Sequence, residues 1–261
     1  MFQNKTRVSN TFERIKNDFY KSRASNVNIV SDDKLTRKGV ALKTIILLLV
    51  VISCATFGTL KEINKTDIYL AFGFFCFIAS TIFYYIGIFS VTLSKIFSFL
   101  YSITLGYGIG IFLNLLKGEY EVFFPIVFSS LLFTFLIFIF MSHLYYKGIL
   151  LATYNFKKNM FRILIFVIIS QMISLLLACF GNYTMENLIH QSVLTIPINI
   201  FLLIFTSLIL ILHFDYVEQM IFNGMPKKYE YQLSLGFASL LVSVFLRILI
   251  TILSIVREKD R

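Results

Sequence analysis

Charge is scarce in this chain. Asp, Glu, Lys and Arg make up 15% of its 261 residues, against about a quarter in a soluble domain. Cysteine is scarce too. Cys54, Cys76 and Cys179 all fall inside apolar blocks, so they read as small buried hydrophobes and not as a disulfide framework or a metal site. No residues have the spacing of a metal-ligand set, a nucleophile–base pair or a nucleotide motif. The expectation is a protein that is not an enzyme, with no catalytic residues, no metal and no cofactor. The first apolar block begins only near Thr44, too far in and too long for a cleavable signal peptide.

What the chain does have is hydrocarbon. Apolar residues make up 57% of it, 30 of them Phe, and they come in long blocks. About 20 apolar residues in a helix cross the ~30 Å hydrocarbon core of a bilayer. The chain therefore reads as an all-α integral membrane protein whose first partner is the lipid bilayer. The net charge of +10 fits that reading better than nucleic-acid binding. Residues 1–43 hold ten Lys and Arg against four Asp and Glu, and basic residues beside spans are what the positive-inside rule describes. Two glycosylation triplets, at Asn64 and Asn182, read as chance.

Residues 1–43 form a polar N-terminal segment. Phe12, Ile15 and Phe19 have helical spacing, which suits either a short amphipathic helix on the membrane surface or a plain cytoplasmic tail. Residues 44–256 form the transmembrane domain, with spans expected at 44–60, 68–92, 96–116, 122–142, 162–181, 190–213 and 232–256. All are helical, because lipid offers the backbone no partners. The sixth is expected to continue past the bilayer core to the turn at Asn223-Gly224 and Pro226. Loops with Lys147, Lys157, Lys158, Arg162, Lys227 and Lys228 alternate with balanced or acidic ones, which puts the N-terminus inside. The basic tail 257–261 breaks that pattern, because seven full spans place it outside.

Intramembrane polar groups by default suggest function. In the last span Gly236, Ser239, Ser243, Arg247, Thr251 and Ser254 lie within about 80° of Arg247 at ~100° per residue. Close helix packing accounts for the small residues, but a guanidinium at that depth needs acceptors. Asn199, Thr206 and His213 share a face of the sixth span, while Asp215 and Glu218 are three apart and share another side. Those two acids are either a proton or cation pair, or the wetted inner end of the helix. Asp215 and Arg247 are too far apart in depth, by ~14 Å, for a direct pair. Gln171, mid-span, suits an interhelical hydrogen bond. His143 and His190 read as interfacial. The run GYGIG (106–110) has no lysine after it and reads as close packing of the third helix.

The stretch LHFDYVEQMIFNGMPKKYEYQLSLGFASLLVSVFLRIL resembles the Bax inhibitor-1/YccA family, in its bacterial branch. LTRKGVALKTIILLLVV, SKIFSFLYSITLGYGIGIFL and SNTFERIK support the likeness across nearly the whole chain. The resemblance implies a seven-helix bundle with the last helix central, in the bacterial cytoplasmic membrane. It also implies either a pH-sensitive calcium leak sensed by paired intramembrane acids or a modulator of a membrane protease. Asp215 falls at the family's helix-six acid. The second aspartate's place is Phe237, and other acids are replaced by His213, Arg247 and Leu105.

Two functions are therefore expected to compete. One is a small cation (calcium) leak gated by protonation, with Asp215, His213 and Glu218 at the pathway or sensor, Arg247 as an intramembrane charge, and Ser239, Ser243 and Thr251 on the polar face of the last helix. The other is a non-conducting partner of other membrane proteins, such as a protease or a stress-response complex. A transporter of a small anion, with Arg247 as counter-charge, ranks third, because no internal repeat is visible.

Overall fold

The computed structural model describes residues 34–60, 67–117, 123–149, 153, 156–165, 167, 169 and 195–259. The chain divides into two units, Met1–Lys34 and Leu35–Arg261, and the described helices all belong to the second. The order is α1 (Arg37–Leu60), α2 (Asp67–Phe89), α3 (Ser94–Lys117), α4 (Phe123–Tyr146), a helical stretch over 156–165, α5 (Thr195–Phe222), a 3-10 turn (Lys227–Tyr229) and α6 (Glu230–Lys259). Six of these helices are long and apolar enough to cross a membrane.

Six of the expected spans meet these helices within a few residues at most ends. The clearest difference is at the start. Helix α1 begins at Arg37, so Arg37, Lys38 and Lys43 belong to a helix and not to the polar segment. Helix α5 runs past the apolar stretch to Phe222, as the absence of a breaker before Asn223 predicts. Most of the expected fifth span, 162–181, lies outside the described residues, as do the candidate amphipathic helix, Gln171, Cys179, His190 and both glycosylation triplets.

Helix ends are set by local chemistry. After α5, Gly224 takes φ +64°, its N–H bonds Ile221 O, and Met225 N–H bonds Met220 O. That is a Schellman stop, which a residue with a Cβ adopts only under strain. Gly148, at φ +69°, closes α4 in the same way through Tyr145 O and Leu144 O. Both helices halt at the same end of the bundle, where Arg37 reaches Tyr146 of α4 and Glu218 of α5, and after α5 the chain turns into the 3-10 turn and α6.

Helix α6 packs against each of α1 to α5, while α1 packs on α3, α3 on α2, and α4 on α5. Two apolar clusters meet on α6. One gathers Val51, Tyr101, Ile109, Leu235 and Leu249; the other gathers Val40, Leu210, Phe214, Phe237 and Val244. The outer faces carry bare hydrocarbon, including Phe74, Phe128, Ile139 and Ile204, as a lipid-facing surface does. The glycine run of α3 packs as expected. A Cβ on Gly106 would strike Val51 O, and one on Gly110 would strike Ala55 O and Gly58, so small residues are what let α1 and α3 backbones approach.

Candidate functional site

One end of the bundle is basic. The starts of α1 and α3, the end of α4, the 3-10 turn after α5 and the helix at 156–165 bring Arg37, Lys38, Lys95, Lys147, Lys157, Lys158, Lys227 and Lys228 there. Three carboxylates sit among them: Asp215 and Glu218 on α5, and Glu230 on the first residue of α6.

Each is held by a different cation. Asp215 pairs with Lys157 at 2.5 Å and accepts a hydrogen bond from Gln219 Nε2 at 2.6 Å. Glu218 pairs with Arg37 at 2.5 Å, and the Arg37 guanidinium also lies 5.8 Å from the centre of the Tyr146 ring. Glu230 pairs with Lys43 at 2.7 Å. Together these links form an ionic collar joining α1, α5, α6 and the 156–165 helix. The acids named from the sequence as a pair thus do separate work: Asp215 holds the 156–165 helix, and Glu218 holds α1.

The Glu230 contact is the most enclosed of the three. Its side chain is only 1% exposed. Its Oε1 accepts from Thr36 N at 3.2 Å and from Thr36 Oγ1 at 3.1 Å. Thr36 in turn caps α1, its Oγ1 accepting from Gly39 N at 3.0 Å. The carboxylate therefore lies at the N-termini of both α1 and α6, where helix dipoles favour negative charge. Gly39 makes room for this geometry, because a Cβ there would overlap the carboxylate and displace it. Leu35, buried and donating its N–H to Met225 O at 2.9 Å, straps the start of α1 across the α5–α6 turn. The Lys43 ammonium also lies 4.2 Å from the Tyr231 ring centre.

Sequence reasoning passed over Glu230 and Lys43. A signal existed: an acid on the lip of the last span faces a base on the lip of the first. Their separation of 187 residues hides the match from any local pattern.

His213 is fixed against α6. Its Nε2 lies 2.9 Å from Leu233 O, and a carbonyl only accepts, so Nε2 carries the proton. The ring stands edge-on to Phe237 at 4.3 Å between centroids and fills the space above Gly236, where a Cβ would collide with it. Phe237, where the resemblance puts a second acid, is thus an apolar wall for this imidazole.

The polar stripe of α6 is mostly self-satisfied. Ser239 Oγ donates to Gly236 O at 2.9 Å, Ser243 Oγ to Ser239 O at 2.8 Å, Thr251 Oγ1 to Arg247 O at 2.7 Å and Ser254 Oγ to Ile250 O at 2.8 Å. Such back-bonding leaves little for a ligand. Arg247 has no carboxylate partner among the described residues, and its buried Nε has no hydrogen-bond partner there. Thr206 Oγ1 is likewise spent on Leu202 O, and Asn199 Nδ2 is buried without a partner among the described residues. No three His, Cys, Asp or Glu converge as a metal-ion set among the described residues.

A family model described as Bax inhibitor 1 like matches residues 3–258. No curated protein and no solved structure gives a match.

Proposed function

The chain belongs to the Bax inhibitor 1 like family, and from that premise we propose that it is a proton-sensitive cation leak, calcium among its ions, with the collared arrangement as its closed state. The observation that carries this is the collar itself. Three carboxylates on α5 and α6 are each tied to a cation from another helix. Neutralising one partner of such a pair removes the attraction that joins the two elements, and at Glu230 it also leaves the partly buried Lys43 ammonium without its counter-charge. His213, wedged between α5 and α6, adds a second protonatable group. A second proton on its ring places a charge between Gly236 and Phe237 and pushes α5 from α6. Gating therefore works near Asp215, through the end of α5.

Seven crossings of a bacterial cytoplasmic membrane, with the basic end inside, complete the proposal. Helices α4 and α5 both end at the basic end, which supports a further crossing between them. Helix α6 starts at the basic end and runs unbroken for 30 residues, about 45 Å. That length supports a full crossing over a re-entrant one, with the tail on the far side.

The test is calcium entry into proteoliposomes loaded with a calcium dye, external pH stepped between about 8 and 6, wild type beside Asp215→Asn. Flux that rises on acidification in the wild type and is already high at the upper pH in Asp215→Asn supports the proposal. Flux equal and pH-insensitive in both would remove Asp215 from the mechanism.

One observation favours the second reading, a non-conducting modulator of another membrane protein. All three collar acids are already engaged, and a divalent cation wants several free oxygens. Folded, inserted protein that passes no ion at any pH would select it. The follow-up is partner capture after deletion of residues 2–33. The deletion has to stop there, because Leu35 and Thr36 are part of the fold.

A further inference from the structure

Helices α1 and α4 both lean on α6 without packing closely on each other. Between them is a cleft of about 370 Å³, walled by Val51 and Ala55 of α1, Val127 and Leu131 of α4, and Val242 and Phe245 of α6. It occupies the half of the bundle away from the basic end, since it follows α1 from Leu48 to Leu60 and α4 from Phe123 to Phe135. We propose that this cleft is a binding site for one acyl chain of a phospholipid in the leaflet remote from the basic end.

Three observations select that occupant. The first is polarity. The hydroxyls in the lining belong to Thr56, Thr59 and Thr134, and each is already used. Thr56 Oγ1 donates to Ser53 O at 2.7 Å, Thr59 Oγ1 to Thr56 O at 2.8 Å, and Thr134 Oγ1 to Ser130 O at 2.8 Å. No charged side chain lines the cleft among the described residues, so an ionic ligand would lose its hydration there without a counter-charge, and a polar one would find no free hydroxyl donor in the lining. The second is size. An apolar cavity of ~150 Å³ stays dry and takes benzene, and ligand sites run from ~300 Å³ upward; this cleft is more than twice the benzene-sized one. The third is access. The cleft lies between two helices long and apolar enough to cross a membrane, and its lining includes exposed Ile52 on the α1 side, so hydrocarbon is the medium at its edge. Exposed Phe124 and Phe128 stand at its α4 edge.

A chain seated there bears directly on Leu241, Val242 and Phe245, the middle of the helix that carries Glu230. The position of α6 thereby becomes sensitive to the lipid that fills the cleft.

The chain contains no Trp, so an introduced one reports on a single place. The proposal is tested with Leu131→Trp in the cleft, Phe74→Trp on the outer lipid face and Tyr101→Trp in the core. Ile52→Trp on the opposite wall replaces Leu131→Trp should that variant fail to fold. Each is reconstituted in phosphatidylcholine brominated along its acyl chains, then transferred briefly to plain detergent. The expected result is that the cleft and outer-face residues both lose most of their fluorescence in the vesicles while the core residue does not. After transfer only the cleft residue stays quenched. Recovery of the cleft residue together with Phe74→Trp would show passing lipid contact and overturn the proposal. A cleft residue never quenched would also overturn it, because another part of the chain or a second copy would then occupy the site.

Discussion

Replacing either partner of the Glu230–Lys43 pair has unequal consequences, and the inequality follows from geometry. The Glu230 side chain is 1% exposed and Lys43 18%. Lys43→Met strips the cation from a carboxylate that has no route to water. The cost of leaving one member of a buried pair is about 3–5 kcal/mol, and the two contacts from Thr36 place this variant near the lower figure. Glu230→Gln keeps the volume and an oxygen for Thr36 while freeing Lys43, whose long stem can carry the ammonium outward to the headgroups. That variant should cost only about 1–2 kcal/mol, roughly the worth of hydrogen bonds to a charged group. In the double variant Lys43→Met with Glu230→Gln no charge is stranded, and stability should return to within about 1 kcal/mol of Glu230→Gln alone. The coupling between the sites is then about 2 kcal/mol or more. Thermal unfolding in lipid nanodiscs reads this out. At about 2–4 °C per kcal/mol for a chain of this size, Lys43→Met should lower the midpoint by about 6–12 °C and Glu230→Gln by about a third to two-thirds as much. Equal losses for the two single variants, or losses that simply add in the double, would refute the reasoning.

Gly39→Ala should destabilise the wild type, because its Cβ meets the Glu230 carboxylate, yet cost much less in a Glu230→Ala background; the same unfolding assay checks this. Gly110→Val should abolish a monodisperse species on size exclusion, since its Cβ would run into the Ala55 carbonyl and Gly58, and a backbone gives way less readily than a side chain. Arg37→Ala should shift the unfolding midpoint by no more than a few degrees, because its side chain is 61% exposed and such pairs contribute about 0–1 kcal/mol. In the liposome assay it should nevertheless raise flux at neutral pH, since it unties α1 from α5.

The helices were legible in the sequence because lipid makes the rule simple: apolar blocks of sufficient length become helices, and Asn223-Gly224 stops one. The boundary at Thr44 came late because hydropathy treats Arg37, Lys38 and Lys43 as loop. In the structure they open α1, with Thr36 as cap and carboxylates as partners. The helical wheel placed Ser239, Ser243, Thr251 and Arg247 on one side, and the glycines of α3 were read as packing residues. Periodicity within a helix does not say which helix lies opposite. It could not show that Asp215 faces Lys157 while Glu218 faces Arg37, or that His213 rests on Phe237. Glu230 was counted among loop residues for the same reason. Its burial comes from a helix at the other end of the chain.

The central claim is that the collar holds the basic end closed and that protons release it. The most direct measurement is the distance between spin labels at Lys38→Cys, at the start of α1, and Asn223→Cys, at the end of α5, with Cys54, Cys76 and Cys179 replaced by alanine. The account predicts one narrow distribution at pH about 8 that broadens to longer distances at pH about 6, and a broad distribution already at pH about 8 in Glu218→Gln, because Glu218 is the acid that ties α5 to α1. A narrow distribution unchanged by pH and by the substitution would contradict it.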